Sequence, residues 1–464
     1  MSLPDKGHPD KYRILAALMA GIILGPIDSS IVNVILPTIT RSFSASLATA
    51  QWVPMIYLLT IGSLGLFFGR LGDIWGYRRV FLSGLVAFIV TSCLCAISPT
   101  IHWLIVVRAV QGVAAGMLMS APLAMVTAVF PAAERGKALG LFAISVSIGL
   151  ATGPSLGGFL TMAFGWRAAF FINLPVGLGA FAFARKVLPD LRGRPGPVDL
   201  PGTLTGLGAL ATFLLFVNRA QEEGLTRTTG PLLAAALLLG VVFLVIERRA
   251  PEPMLNLGLF RSPTLNFGLM AALLNFMSQY VVVFLTPFYL QRVLGAGPGH
   301  VGLVMTAFPL AVLFVAPFAG ILSDRIGTAG PAALGTGLSA LACFLMAGLP
   351  GGSDISMEWK LALFGVGTGL FQPPNNSAVM GGSPREHLGV VSSLLGTTRT
   401  VGMMMGVAAA GAFIYAVVPA RALGIPDLPP AEAADFLRGL RHAYTAGGAF
   451  AALAALLSLI RGRR

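Results

Sequence analysis

Charge is scarce in this chain. Asp, Glu, Lys and Arg make up only 11% of its 464 residues, and 18 residues are acids. A soluble domain carries about 25% charged residues, so a soluble globular fold is excluded. Cysteine is almost absent. Cys93, Cys95 and Cys343 lie in apolar segments, with no disulfide or metal-ligand spacing. Cys93 and Cys95 point to different helix faces and read as small buried hydrophobes. The five histidines, His8, His102, His300, His387 and His442, fall in loops or at helix ends, none at metal-ligand spacing from a carboxylate. No nucleophile elbow is present, nor a glycine loop ending in Gly-Lys-Ser or Gly-Lys-Thr to cradle phosphate. These absences argue against an enzyme, a bound cofactor or metal, and ATP as a direct energy source.

The net charge of +13 invites a nucleic-acid reading. Its distribution removes that reading: about 20 Lys and Arg fall on one side of the apolar segments, about 9 on the other and two inside, the asymmetry of the positive-inside rule. No basic tract of the kind that grips phosphates occurs.

What is present is hydrophobic length. The chain is 56% hydrophobic with a mean hydropathy of +0.83. Apolar runs of about 18 or more residues recur, each sufficient to span a bilayer. The expected class is an all-α integral membrane protein with about fourteen spans. Six lie between Ile14 and Val187, two shorter ones near Leu200–Val217 and Pro231–Ile246, and six between Leu265 and Ile460. The first run is too long for a signal-peptide core and lacks a clear cleavage site. The basic loops, at Arg78-Arg79, Arg135 to Lys137, Arg185 to Arg194, Arg248-Arg249 and the tail with Arg461, Arg463 and Arg464, share one side. This puts both termini in the cytoplasm. The longest outer loop, Pro419 to Arg441, carries Asp427, Glu432 and Asp435, and a short surface helix is expected at Phe436–Leu440.

Two stretches nearly repeat. Gly69-Arg70-Leu71-Gly72-Asp73-Ile74-Trp75-Gly76 is followed by Tyr77-Arg78-Arg79, and Gly320-Ile321-Leu322-Ser323-Asp324-Arg325-Ile326-Gly327 has Gly, Leu, Asp and Gly at matching offsets. Each sits between long apolar segments, the mark of an internally duplicated transporter. The copies lie about 250 residues apart, whereas six helices with their loops need about 190. The surplus matches an inserted two-helix hairpin. The expected organisation is an N-terminal six-helix bundle over 1–190, a linker and hairpin over 191–262, and a C-terminal six-helix bundle over 263–464.

Ionisable groups in hydrocarbon are costly and default to functional candidates. One acid, Asp28, and two bases, Arg108 and Arg399, fall mid-span. Burial disfavours the charged form of a carboxylate, so Asp28 is the expected carrier of a proton; the alternative is a static partner for Arg108 or Arg399. Arg108 shares a helix face with Gln111, and Gly112 and Gly116 permit close helix packing. Gly149, Gly153, Pro154, Gly157 and Gly158 cluster in the fifth span and are expected to bend it and to allow tight contact. Candidate substrate contacts are Asn33, Gln111, Asn275, Gln279, Arg399 and Met403. To these the run Gln372-Pro373-Pro374-Asn375-Asn376 adds Gln372, Asn375 and Asn376, and is expected to interrupt the tenth helix. Met403-Met404-Met405 offers a soft apolar wall, while each polar residue could instead be interhelical glue.

Together these stretches resemble the major facilitator superfamily. Gly69–Arg79 looks like its signature loop, Arg108–Gly116 its fourth-helix motif, and Gly149–Gly158 the fifth-helix motif of its antiporters. Leu24–Pro37 and Gly165–Pro175 are similar to the fourteen-helix drug:proton antiporter family. The resemblance implies that Asp28 and Arg108 couple transport to protons. It also implies that Gly69, Asp73, Gly76, Arg78 and Arg79 form a conformational switch whose charges latch the two halves in the outward-facing state. In the second copy Thr328-Ala329 replaces the trailing basic pair, so a latch at Asp324 is expected to be weaker. The expected function is proton-coupled export of hydrophobic, cationic or amphipathic small molecules from the cytoplasm across a bacterial inner membrane by a monomer. A proton gradient is the energy source; the partners are substrate, protons and the lipid bilayer, with no nucleic acid. A lipid or glycolipid flippase and a non-transporting membrane sensor or scaffold are the alternatives.

Overall fold

The structure, a computed structural model, describes residues 8–131, 134–190, 200–223, 226–249, 257–348, 355–382, 388–418 and 430–462. The long elements among them are all helical. The first half holds α1 (Lys11–Ile22), α2 (Leu24–Ser42), α3 (Leu47–Trp75), α4 (Tyr77–Ala96), α5 (Ile101–Val129), α6 (Arg135–Phe164), α7 (Ala168–Phe171) and α8 (Asn173–Val187). Then follow α9 (Leu200–Glu223) and α10 (Thr229–Arg249). The second half holds α11 (Pro263–Phe288), α12 (Pro298–Ile326), α13 (Ala329–Ala347), α14 (Ile355–Gly381), α15 (Leu388–Tyr415) and α16 (Pro430–Gly462).

Two pairs of these helices form single spans broken at a proline. Pro26 cannot donate to the Ile22 carbonyl, so α1 and α2 meet at Ile23, which keeps helical angles (φ −58°, ψ −25°). Pro175 has the same effect near the junction of α7 and α8, where Ile172 stays helical (φ −60°, ψ −27°). Twelve helices or joined pairs among the described residues are long and apolar enough to cross a membrane, two fewer than the fourteen expected. The remaining two long helices are α14 and α15. Gln372, Asn375 and Asn376 in the former, and Arg399 with its flanking threonines in the latter, lower their hydropathy.

Three local expectations need correction. Pro373 and Pro374 do not interrupt their helix: α14 runs unbroken from Ile355 to Gly381. Phe436–Leu440 is no separate surface helix but part of α16, continuous over Pro430–Gly462. Arg461, expected in the C-terminal tail, belongs to the last turn of α16 and is 5% exposed. The central part of the 188–201 linker, Asp427 of the outer loop, His387, Arg463 and Arg464 lie outside the described residues.

In the first half α5 packs along α3 and α4, α6 along α2, and α8 along α4. In the second, α14 packs along α12 and α13, and α16 along α11 and α13. The halves meet along two seams, α6 on α12 and α3 on α15. Helices α9 and α10 pack on each other and touch the halves through α3 and α15, while Leu237, Leu238 and Val241 face outward. Both sequence repeats end their helices alike. Gly76 (φ 91°) and Gly327 (φ 87°) occupy a backbone region closed to most side chains, and their N–H groups donate back to the Gly72 and Ser323 carbonyls.

Candidate functional site

Asp28 stands two residues past the Pro26 break in α2, and Asn173 two residues before Pro175 at the start of α8. The two proline junctions therefore bring a carboxylate and an amide toward the same level of the bundle. From α5, Arg108 pairs with Asp28 through Nη1 and Oδ2. Asp28 Oδ1 accepts from Gln111 Nε2 at 3.1 Å and from Asn173 Nδ2 at 3.1 Å. Gln111 Nε2 also reaches Ser92 Oγ at 2.9 Å, and Asn173 Nδ2 reaches it at 3.2 Å. Arg108 donates from Nη1 to Gln111 Oε1 at 2.8 Å and from Nε to the Val53 carbonyl at 3.3 Å, and its guanidinium stacks 3.9 Å over the Tyr57 ring. Cys95 Sγ donates to Gln111 Oε1 at 3.5 Å. Asp28 is 1% exposed and Arg108 fully buried, so the ion pair is removed from solvent inside one half of the molecule.

Every group contacting Asp28 is a donor, and both of its oxygens are occupied. Of the two mid-span bases it is thus Arg108, not Arg399, that pairs with Asp28. Pattern reading found Asp28, Arg108 and Gln111 but missed Ser92, Asn173 and Tyr57. Asn173 carried a signal, an amide beside a proline inside an apolar segment; Ser92 and Tyr57 carried none. Gln111, a candidate substrate contact, bridges Asp28, Arg108 and Ser92. Replacing Asn173 with Leu strips donors from Asp28 and Ser92 and is expected to cost about 1–3 kcal/mol. The loss should appear as a lowered thermal midpoint of the detergent-solubilised protein; an unchanged midpoint would show the network does not depend on Asn173.

The glycines of α6 grip the helix that carries Asp28. At Gly149 a methyl group would stand 3.0 Å from Pro26 Cβ, at Gly153 it would meet Ser30 Oγ at 1.7 Å, and at Gly157 it would meet Ile31 Cγ2 at 3.0 Å. These three positions, four residues apart, form one face against α2. Neighbouring Gly158 faces the other half, where a methyl group would stand 2.5 Å from the Pro298 carbonyl; at Gly302 one would stand 2.4 Å from the Pro154 carbonyl. Helix α6 is continuous over Arg135–Phe164 with Pro154 inside it. Thus one helix touches both the ion-pair helix and the opposing bundle.

Further bonds close the same end. Ser155 and Thr306 share a 2.6 Å bond, Thr38 Oγ1 donates to Gln291 Oε1 at 3.2 Å, and the Ala48 N–H donates to Tyr415 Oη at 3.0 Å. Toward the opposite end, which carries the N-terminus, Gly65 and Gly69 of α3 and Gly396 of α15 face open space.

The residues expected to form a switch lie toward that end. Arg78 Nη2 donates to the Arg185 carbonyl at 2.8 Å, inside its own half, and Arg79 and Asp324 are exposed. The side chain of Asp73 lies outside the described residues.

The second-half candidates divide. Asn375 donates to the Gly268 carbonyl at 3.1 Å and accepts from Arg461 Nη1 at 2.6 Å, which makes it a strut among α11, α14 and α16. Gln372 and Met403 are half-buried and Asn376 is exposed. Asn275 is fully buried with neither amide atom bonded, and Oδ1 of Asn33 and Oε1 of Gln279 are likewise buried and unbonded. Arg399 is exposed although it sits mid-helix, with its guanidinium carbon 5.9 Å from the Phe276 ring centre.

Two helical bundles joined along the α6–α12 and α3–α15 seams, the first holding a buried ion pair, have the architecture of a membrane transporter. Residues 18–407 match the Major Facilitator Superfamily, and the chain belongs to it. It is 33% identical over 407 residues to a transporter, YebQ, of Escherichia coli (86% of this chain, 88% of that protein). It is also 30% identical over 497 residues to a tetracenomycin C resistance and export protein of Streptomyces glaucescens (98% of this chain, 92% of that protein). In fold it resembles a bacterial homolog of the human lysosomal transporter Spinster, solved in an inward-facing and unoccupied conformation. The TM-score is 0.69 with 16% identity over 98% of this chain and 97% of that one.

Proposed function

We propose that the protein is a proton-coupled exporter of hydrophobic or amphipathic small molecules, of the fourteen-helix drug:proton antiporter type. The observation that carries the reading is the sealed cluster of Asp28, Arg108, Gln111 and Asn173, gripped through Gly149, Gly153 and Gly157 by the helix that also forms the seam. Positive-inside loop charge places the open, N-terminal end and both termini in the cytoplasm of a bacterial inner membrane. The bonded end is then the outer gate, and the state is inward-open.

In this state cargo enters from the cytoplasm or inner leaflet. Rocking of the halves parts the outer seam and closes the inner ends around the switch loop, where Asp73, Arg78 and Arg79 act as the latch. A proton arriving from outside takes the place of a donor on Asp28 Oδ1 or Oδ2. Arg108 then relies on Gln111, the Val53 carbonyl and the Tyr57 face, and the movement passes through α2 to α6 and the seam. Homology to an export protein supports the direction of cargo movement.

The test is flux in proteoliposomes. Under an imposed pH gradient, added cargo should release protons from the vesicle in step with its own movement. Cargo movement indifferent to the gradient would sink the coupling.

A further inference from the structure

We propose that Arg399 forms an anion-selective cargo subsite, so that the preferred substrates are planar amphipathic organic anions, with a carboxylate or acidic hydroxyl seated on the guanidinium. The inference rests on the exporter reading above and goes beyond it by committing to anions, where the sequence led to an expectation of hydrophobic, cationic or amphipathic cargo.

The argument is one of charge. Asp28 is the acid expected to attract a cation, but both of its oxygens are bonded and the residue is 1% exposed. Its charge is cancelled by Arg108 at contact distance. Arg399 has no such partner: among the described residues no carboxylate pairs with it. Its position places it toward the interior. Its neighbour Thr400 lies against Gly62 of α3, and Gly402 and Gly406 press on Leu273, Phe276 and Met277 of α11. The exposed side chain between these contacts points along Phe276 and toward Tyr280, whose hydroxyl faces Ser29 and Asn33 of α2. The exposure of Arg399 is therefore to the cleft between the halves rather than to lipid.

A lone guanidinium in a low-dielectric cleft attracts anions and repels cations. Around it the recognition elements are incomplete without a ligand. Gln279 Oε1 and Asn33 Oδ1 are buried without a bond; as acceptors they suit hydroxyl or N–H donors elsewhere on the cargo, while its anionic group goes to Arg399. Phe276 and Tyr280, both buried, back the guanidinium from α11. Arginine binds a carboxylate with a planar fork and stacks on flat ring systems, a combination suited to an aromatic acid.

The experiment uses the purified full-length protein, with fluorescein as the anionic aromatic probe and ethidium as the cationic one. Binding is measured in detergent and flux in proteoliposomes. Fluorescein should bind and move, and Arg399→Gln should weaken its binding by about 10- to 100-fold while Arg399→Lys retains part of it. Binding of ethidium should be unchanged or improved by Arg399→Gln. Equal fluorescein affinity in wild type and Arg399→Gln would overturn the proposal, as would wild-type preference for ethidium; with ethidium flux intact, the exporter reading would survive. Fluorescein binding that depends on Arg399 without any flux would keep the subsite and overturn the exporter. Binding of neither probe would overturn the subsite.

Discussion

Asp28→Asn should abolish the proposed cargo-driven proton release, with fluxes falling to those of protein-free vesicles. The carboxylate is the acid at the centre of the buried cluster, and an amide neither takes up nor releases a proton between about pH 5 and 9. The substitution also leaves Arg108 fully buried opposite a neutral group. Removing one partner of a buried ion pair costs about 3–5 kcal/mol, so reduced yield and a lower thermal midpoint are expected alongside the lost flux. A second variant separates these effects. Asp28→Asn combined with Arg108→Gln removes both charges and should recover much of the stability, since deleting both partners avoids an uncompensated charge. It should remain uncoupled. Restored proton release in the double variant would falsify the assignment of the proton to Asp28, because no other acid contacts the described cluster.

How much of this was legible before any coordinates depended on the kind of signal. Asp28, Arg108 and Arg399 stood out because a charge inside an apolar run is rare and expensive. The paired turns at Gly76 and Gly327 stood out because a glycine at a helix end answers a local backbone requirement, and local requirements are written in neighbouring residues. The pairing of Asp28 with Arg108 rather than Arg399 was not legible. It depends on third helices: Gly149, Gly153 and Gly157 of α6 set the place of α2, and Gly112 sets α5 against Tyr57 and Thr60 of α3. Asn173 was missed for the same reason: its partners Asp28 and Ser92 are 145 and 81 residues away. Double proline misled in the opposite direction. Pro373 and Pro374 suggested a broken helix, but α14 tolerates them because bundle packing compensates for the missing backbone bonds. Tight contact at Gly158 was expected, but its partner was not legible, since Pro298 and Gly302 lie in the other half.

Gly158→Val should drive the protein out of the inward-open state. Even a single methyl group at this position would stand 2.5 Å from the Pro298 carbonyl and 3.0 Å from the Gly302 Cα. Both obstacles are backbone, so no side-chain rotation relieves the clash and α6 and α12 must separate. Overpacking of this kind costs about 1–3 kcal/mol. The cost falls only on the state in which the seam is shut, so it acts as a coupling energy that shifts the balance toward the outward-open state by about 5- to 150-fold. The shift can be read with Ser155→Cys as a reporter, since Ser155 lies one turn before Gly158 and bonds Thr306 across the seam. In the otherwise wild-type background a membrane-impermeant maleimide added from outside should modify this cysteine slowly, and in the Gly158→Val background about tenfold or more faster. Transport should fall because the outer gate no longer seals. Folding should be spared, because the change lies between the halves rather than inside either. A variant at Gly153 provides the contrast: there the added atoms meet Ser30 of the same half, so destabilisation should appear without faster labelling. Equal labelling in the presence and absence of Gly158→Val would mean that the contact between α6 and α12 is not the gate.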